Sequence, residues 1–304
     1  MYFIRRILFA IPLLLIISAL AFALVRLAPG GPFDNERAPA SPEIERHLLA
    51  KYHLDEPMWK QYLEYLSALA HGDFGTSLKY RAHSVNDIIA QGLPVSLTLG
   101  GLAFCFAMTL GLPVGFFAAA NRGRWPDRIG SFLAMLCVCV PGFVIAPVLI
   151  MIFAVKLKWL PVALWETPLH VILPTIALGL YFSGQVARLM REGMLQAMQS
   201  EFITAARSKG LGENELLFKH AFRIAVLPVV SYAGPMLADL LTGSFVVENI
   251  FQIPGVGIFF INSMENYDYT MTVGLALLYA ILIIGLNLVV DFAYTLLDPR
   301  IKYE

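Results

Sequence analysis

The sequence has 304 residues, of which 58% are hydrophobic and only 14% are charged. An average soluble domain carries about 25% charged residues, so this composition excludes an ordinary water-soluble protein and indicates a chain that folds in lipid. The 22 basic and 22 acidic side chains cancel, and this balance gives no indication of a nucleic-acid or acidic partner.

The chain begins with the basic pair Arg5 and Arg6, followed by an apolar run over residues 7–24. A basic region followed by an apolar stretch is also the pattern of a secretory signal peptide. The run is longer than the apolar region of about 7–15 residues that signal peptides carry, and no cleavage site of small residues closes it. We therefore predict an uncleaved first membrane span over residues 7–28 within a segment of residues 1–28.

The following segment, residues 29–93, is predicted to be a small packed helical cap on the external side. Ser41 is suited to begin a first amphipathic helix, whose apolar residues Leu48, Leu49 and Tyr52 recur at helical spacing. A second helix has the apolar positions Trp59, Tyr62, Leu63, Leu66 and Leu69. Gly72-Asp73-Phe74-Gly75 is expected to end it. About 60 residues bury too little core for a separate enzyme domain.

Residues 94–304 are predicted to form the membrane core, because five further runs approach the roughly 20 apolar residues that cross a bilayer as a helix. With the first span, they define an all-α integral membrane protein of six transmembrane helices. The five runs are 94–120, 129–157, 171–190, 225–247 and 272–297.

Lysine and arginine in the short connections predict the orientation, because cytoplasmic loops carry the basic excess. Basic residues precede span one and lie between spans two and three, between spans four and five, and after span six. The opposite short loops hold Lys156 and Lys158 in one case and no Lys or Arg in the other, residues 251–271. Both termini and the loop over 191–224 are therefore expected in the cytoplasm, with residues 29–93 outside.

Acidic residues within membrane spans are costly and often functional. Asp239 and Glu248 are nine residues apart on span five, which places them on roughly opposite faces of a helix, and Asp291 lies near the inner end of span six. Glu248 is expected at the outer interface as a capping or salt-bridging group. Asp239 either lines a polar cavity or hydrogen-bonds a neighbouring helix.

Motifs for chemistry within this chain are absent from the sequence. The phosphate-loop pattern G-x-x-x-x-G-K followed by Ser or Thr does not occur, and PGVG at 254–257 has the properties of a turn. The six histidines and three cysteines show no metal-ligand spacing, and no nucleophile motif supports a hydrolase. We therefore predict no catalytic residue, no bound metal and no cofactor held by this chain.

The stretch EFITAARSKGLGENELLFKHAF, residues 201–222, is unusually polar for this chain. Apolar or small residues recur at helical spacing on both sides of Gly210-Leu211-Gly212, and Glu213 or Asn214 can start the second helix. A flexible solvated loop has no need of this spacing. The pattern favours a docking element for a cytosolic partner.

The same stretch resembles the EAA loop of ATP-binding-cassette importer permeases, E-A-A-x-x-x-G, here Thr204 to Gly210. Thr204 replaces the Glu, and Leu227-Pro228 lies later than in the general pattern. Both departures are similar to the oligopeptide, dipeptide and nickel branch. Further stretches resemble the same branch in their order along the chain, and together they extend over almost its whole length. They are RLAPGGPF, KYHLDEPMWKQYLEYL, HGDFGTSLKY, LPVSLTLG, ILPTIALGL, GSFVVENIFQIPGVGIFF and DFAYTLLDPRIKY.

The resemblance implies the importer permease fold and a non-catalytic subunit of the bacterial inner membrane. It implies a second homologous permease subunit, two cytosolic ATPases that bind ATP and Mg, and an external peptide-binding protein; dipeptide, glutathione and nickel importers are close relatives. The implied ATPase-coupling residues are Glu201, Phe202, Thr204, Ala205, Ala206, Lys209, Gly210, Leu211, His220 and Arg223. Candidate residues of the translocation pathway are Ser231, Tyr232, Asp239, Thr242, Ser244 and Glu248. An ion-coupled transporter using Asp239 and Asp291 is the alternative of a different class.

Overall fold

A computed structural model of the chain describes residues 2–27, 55–80, 83–242 and 244–297. The predicted first external helix, with Ser41, Leu48, Leu49 and Tyr52, lies outside these residues. The described chain is almost entirely helical, and it divides into two compact units. One unit comprises residues 1–96, 254–288 and 302–304, and the other comprises residues 97–253 and 289–301.

Thirteen α-helices are assigned within the described residues, here numbered α1 to α13. They are α1 Tyr2–Leu27, α2 Met58–Ala70, α3 Val85–Ala120, α4 Trp125–Cys139, α5 Gly142–Leu149, α6 Ile172–Met198, α7 Glu201–Ser208, α8 Glu213–Glu215, α9 Phe222–Ala225, α10 Leu227–Thr242, α11 Phe245–Ile250, α12 Val256–Glu265 and α13 Tyr269–Leu297. π-Helical turns cover Ile150–Lys156 and Leu216–Ala221, and a 3₁₀ turn covers Pro168–Val171.

Five helices of the described chain are long and apolar enough to cross a membrane, and the number is six if one bent pair counts as a single span. That pair replaces the continuous third span predicted over 129–157. Trp125–Cys139 and Gly142–Lys156 meet at an angle of 103°. Pro141 explains the break: it lacks an N–H and pushes Val140 into an extended conformation, with φ −97° and ψ 117°.

The second spanning helix, α3, begins at Val85 rather than at the predicted residue 94. Ser84 starts it with a reciprocal cap: the Ser84 N–H donates to Asp87 Oδ2 at 3.0 Å, and the Asp87 N–H donates to Ser84 Oγ at 3.1 Å. A helix of 36 residues is about 54 Å long, whereas the hydrocarbon core is about 30 Å thick. The helix is therefore long enough to extend beyond the bilayer.

In the first unit, α2 packs along α1. Tyr62 OH and Ser18 Oγ are 2.9 Å apart, Arg26 Nε donates to Gln61 Oε1 at 2.9 Å, and the Phe22 and Tyr62 rings meet edge to face. The predicted second external helix is therefore present, but its predicted apolar face was partly wrong. Gln61, Tyr62 and Tyr65 face the packed side, whereas Trp59 and Leu63 are 67% and 56% exposed.

The first unit also contains a core at the beginning of α3 and α13. Its buried members are Val85, Ile88, Val256, Met271, Leu275 and Leu278. Asp268 caps this region by accepting hydrogen bonds from Ser77 Oγ, from the N–H groups of Leu78 (3.2 Å) and Lys79 (3.3 Å), and from the N–H of Met271 (3.1 Å). One buried carboxylate thus joins the segment after α2 to the start of α13.

In the second unit, α6 is the central helix because small residues let its neighbours approach closely. A Cβ on Gly115 of α3 would lie 2.3 Å from the Ala187 carbonyl oxygen, and one on Gly184 would lie 2.6 Å from the Ala134 carbonyl oxygen of α4. Glycine is therefore required at these crossings, as is common between membrane helices.

Candidate functional site: the coupling segment and the exposed face of α10

The segment that the sequence predicts to dock a cytosolic partner, residues 200–225 and called the coupling segment below, begins with the short helix α7. Ser200 caps its N-terminus, and its Oγ accepts the Ile203 N–H at 3.5 Å. Ile203 and Ala206 are buried, whereas Glu201, Phe202, Thr204 and Ala205 are exposed. The helix therefore has one face packed on the protein and another open to a partner.

Gly210 terminates α7 in a left-handed turn. Its φ is +85°, which non-glycine residues rarely adopt, and no atom would lie within 4 Å of an added Cβ. Gly212, only two residues later, has a φ of −68° and precedes α8. The backbone conformation therefore requires glycine at position 210, whereas the structure shows no such requirement at Gly212.

Two side-chain contacts bridge the turn between α7 and the following helical residues. Arg207 Nε lies 2.7 Å from Glu213 Oε1 in an exposed ion pair. The Phe202 and His220 rings meet edge to face with centroids 5.7 Å apart. These contacts link the two halves of the helix–glycine–helix element.

The second half of the segment is seated on α6 and α3. Leu216, Ala221 and Ala225 are buried, and a Cβ on Gly193 of α6 would lie 2.5 Å from the Ala225 carbonyl oxygen. Phe116 of α3 contacts the rings of Phe218 and Phe222 at centroid distances of 4.7 and 6.0 Å. The second half of the segment is therefore packed directly against two spanning helices.

The ten residues predicted for coupling lie together on this element, but they divide by exposure. Ala206 is buried, and Leu211 and His220 are half-buried. The exposed members are Glu201, Phe202, Thr204, Ala205, Lys209, Gly210 and Arg223. The exposed set contains one large apolar side chain, Phe202, among polar and small neighbours.

An ion pair that the sequence reasoning missed joins α4 to α6. Arg191 of α6 donates to Asp127 of α4 through Nε (2.7 Å) and Nη2 (3.1 Å), and the carboxylate also accepts the Gly123 N–H at 2.9 Å and Ser131 Oγ at 3.3 Å. Asp127 is only 6% exposed. The partners are 64 residues apart, so no local spacing could reveal the pair.

The predicted pathway residues do not form one surface. Leu227, Ser231, Pro235 and Asp239 recur every four residues and are exposed along one face of α10, and Tyr232 beside them is half-buried. Asp239 has no hydrogen-bond partner among the described residues. This face is open in the isolated chain and carries both a hydroxyl and a carboxylate.

Ser244 and Glu248 differ from the prediction, because both are fully buried at 0% exposure. Ser244 Oγ donates to the Glu248 carboxylate within the last turn of span five. Glu248 is thus a buried group that accepts a hydrogen bond, and its burial was not indicated by the sequence. The side chains of Thr242 and Asp291 lie outside the described residues.

The helical fold is that of a membrane component of a binding-protein-dependent transport system, and the family match agrees. Residues 111–303 match the family described as "Binding-protein-dependent transport system inner membrane component". The chain belongs to this family. It is therefore a multi-pass permease component of a bacterial inner-membrane transport system.

Curated relatives extend the match over nearly the full length. The chain is 45% identical to the "Oligopeptide transport system permease protein OppB" of Haemophilus influenzae, over 98% of each chain. It is 43% identical to the OppB protein of Escherichia coli K12, over 99% of each chain. It is 40% identical to the "Dipeptide transport system permease protein DppB" of Bacillus subtilis, over 99% of this chain and 97% of that one.

Among solved structures, an inward-facing MetNI methionine ABC transporter matches with a TM-score of 0.56 and 18% identity. The match covers 71% of this chain and 97% of that one. A second crystal form of MetNI matches with a TM-score of 0.59. At this identity the likeness establishes the fold alone, which is the ABC importer permease fold predicted from the sequence.

Proposed function

We propose that this chain is a permease subunit of an ATP-driven importer of oligopeptides, and that residues 200–225 couple it to a cytosolic ATPase. The observation that carries the proposal is the element itself, a capped helix, a left-handed glycine turn and a second helix packed on two spanning helices. The exposed residues of α7 form the contact, with Phe202 as its apolar anchor.

The proposed machine contains a second, homologous permease subunit, two ATPases and an external peptide-binding protein. ATP and Mg are bound by the ATPases, since this chain has no phosphate loop. ATP binding draws the ATPases together, α7 follows the cleft in which it sits, and the contacts of Gly193 and Phe116 pass the motion to α6 and α3. Both chain termini and the coupling segment lie in the cytoplasm.

The exposed face of α10 is the proposed wall of the peptide path. Ser231 and Asp239 would face a wet cavity completed by the second permease subunit, where the hydroxyl and carboxylate remain hydrated. Tyr232 borders the path, whereas Ser244 and Glu248 are buried and support the end of the span. A hydrated path with few charges suits peptides of varied sequence, and the binding protein selects among them.

The substrate class rests on the named relatives, which are oligopeptide and dipeptide permeases. Oligopeptides are proposed ahead of dipeptides because the OppB proteins are more similar over the same length. Uptake by the reconstituted complex of peptides of two to six residues, each delivered by the binding protein, tests this order. Transport of dipeptides alone would assign the chain to the dipeptide members.

The coupling role is tested by a pair of glycine substitutions. Gly210→Val places a β-branched residue at φ +85°, whereas Gly212→Val meets ordinary backbone and open space. We expect Gly210→Val to lower peptide-stimulated ATP hydrolysis and uptake at least fivefold, with normal membrane insertion, and Gly212→Val to retain most activity. Equal activity of the two variants would refute the proposed role of the turn.

The ion-coupled alternative is separated by reconstitution of this chain alone. Proteoliposomes without the ATPases and binding protein are expected to show no ion-driven peptide uptake. In the complete complex, the Asp239→Asn variant is expected to retain ATP hydrolysis that the binding protein stimulates. Uptake by the chain alone under an ion gradient would overturn the assignment to an ATP-driven system.

A further inference from the structure

A cleft of about 250 Å³ lies between α3, α4 and α6, in the unit of residues 97–253. Its lining is mostly small and apolar. The lining includes Ala118, Ala134, Met135 and Ala187, together with Arg188 and Arg191. Ala118, Ala134 and Ala187 are buried, but Met135 is 58% exposed, so the cleft opens on the surface of the spanning helices.

One end of the cleft is strongly basic. Arg191 is held by Asp127, but Arg188 is exposed and makes no hydrogen bond or ion pair with any described residue. Three further exposed arginines adjoin this end, because Arg122 and Arg124 flank Gly123, which donates to Asp127, and Arg128 follows Asp127. Glu192 also lines the cleft. Its carboxylate forms no ion pair with a described residue.

We propose that this cleft binds an anionic phospholipid, with an acyl chain along the apolar lining and the phosphate at Arg188. The position of the basic end predicts a lipid of the cytoplasmic leaflet, and that detail alone rests on the orientation proposed above. Basic pockets between spanning helices on the cytoplasmic side suit anionic headgroups. A free phosphate would leave the apolar lining unfilled, and a peptide would place unpaired backbone groups against it.

The bound lipid would also steady the structure near the coupling segment. Its headgroup lies beside the Asp127–Arg191 pair, which joins α4 to the helix that leads into α7. Occupancy of the cleft would therefore stabilise the contact between α4 and α6.

The experiment titrates phosphatidylglycerol or phosphatidylcholine into the delipidated complete transporter and counts bound lipids by native mass spectrometry. Arg188→Gln is compared with Lys156→Gln, which removes another exposed basic side chain at the end of the π-helical turn. We expect Arg188→Gln to weaken the tightest phosphatidylglycerol site about fivefold, and the combined Arg122→Gln and Arg124→Gln variant to weaken it further. Lys156→Gln should leave it unchanged.

Four outcomes would overturn the proposal. They are equal affinity of the two lipids in the wild type, an unchanged site in Arg188→Gln, displacement of the lipid by millimolar inorganic phosphate, and cross-linking of a Met135→Cys variant to the second permease subunit. The last would show that a protein surface covers the cleft. None of these results bears on peptide transport, so the lipid site and the importer assignment fail independently.

Discussion

At the scale of single residues, two arginine–carboxylate pairs have the same contact distance but different surroundings. Arg191 Nε to Asp127 Oδ1 and Arg207 Nε to Glu213 Oε1 are both 2.7 Å. The Asp127 side chain is 8% exposed and accepts two further hydrogen bonds, whereas the Glu213 side chain is 62% exposed. Solvent screens the second pair, so the two should contribute very differently to stability.

We predict that Asp127→Asn destabilises the protein by about 1–3 kcal/mol, because it removes the charge that pairs Arg191 in a mostly buried site. Glu213→Gln, the matched change in the exposed pair, should cost less than about 1 kcal/mol. Thermal unfolding of the detergent-purified complex measures both. Equal shifts in the two transition temperatures would contradict the ranking.

At the scale of elements, glycines on α3 decide how closely that helix approaches α6. A Cβ on Gly115 would lie 2.3 Å from the Ala187 carbonyl oxygen and 2.8 Å from Met190 Cβ. On the same helix, Gly101 has no atom within 4 Å of an added Cβ. The helix thus supplies its own control for the effect of a methyl group.

We predict that Gly115→Ala costs about 1–3 kcal/mol through overpacking and reduces the yield of monodisperse protein. Gly101→Ala should be neutral or stabilise the helix by up to about 1 kcal/mol, because alanine has the higher helix propensity. Size-exclusion profiles after heating to increasing temperatures compare the two. A larger loss for Gly101→Ala would refute the assigned helix crossing.

The carboxylate of Asp268 connects two elements of the first unit. It accepts N–H groups from Leu78 and Lys79 in the segment after α2, and it also caps α13 through Met271. Asp73 makes a purely local contact, since within the described residues its exposed carboxylate accepts only the Gly75 N–H. The two aspartates therefore differ in the range of the contacts that they make.

We predict that Asp268→Asn raises hydrogen exchange at the Leu78 and Lys79 amides about tenfold, because the amide replaces a charged acceptor and turns an NH₂ group toward other donors. Asp73→Asn should leave those amides unchanged. Hydrogen-exchange mass spectrometry over residues 74–80 provides the comparison. Unaltered exchange in Asp268→Asn would mean that packing alone holds the segment.

At the scale of the whole molecule, the distribution of basic residues predicts which ends of the spans face the cytoplasm. The coupling segment is placed inside by this argument, and the segment after α2 is placed outside. Asp73 and Lys209 are exposed in these two regions and are suited to report their sides. The orientation decides whether a cytosolic ATPase can reach α7 at all.

We predict that, in a variant with Cys105, Cys137 and Cys139 replaced by alanine, Asp73→Cys reacts with a membrane-impermeant maleimide in intact spheroplasts. Lys209→Cys should react only after the membrane is permeabilised. Labelling is read by the mass shift of the purified chain, and a permeant maleimide controls for thiol reactivity. The reverse pattern would invert the orientation and remove the proposed ATPase contact.

The sequence alone determined what depends on local pattern. Apolar length located the spans, the caps and glycines predicted helices on both sides of Gly210, and the ordered motifs identified the importer permease family. The sequence analysis placed the start of α3 at residue 94, although Ser84 and Asp87 form a local capping pair that marks the start at Val85. These features are set by residues within a few positions of one another.

Only the tertiary structure decided which distant residues meet. It paired Asp127 with Arg191 across 64 residues, buried Glu248 beside Ser244, and turned Trp59 and Leu63 outward while Gln61 and Tyr62 packed against α1. It also brought α3, α4 and α6 around the basic cleft. In a chain where most residues are apolar, hydrophobicity does not distinguish a lipid-facing side from a packed one, so helix packing has to settle these contacts.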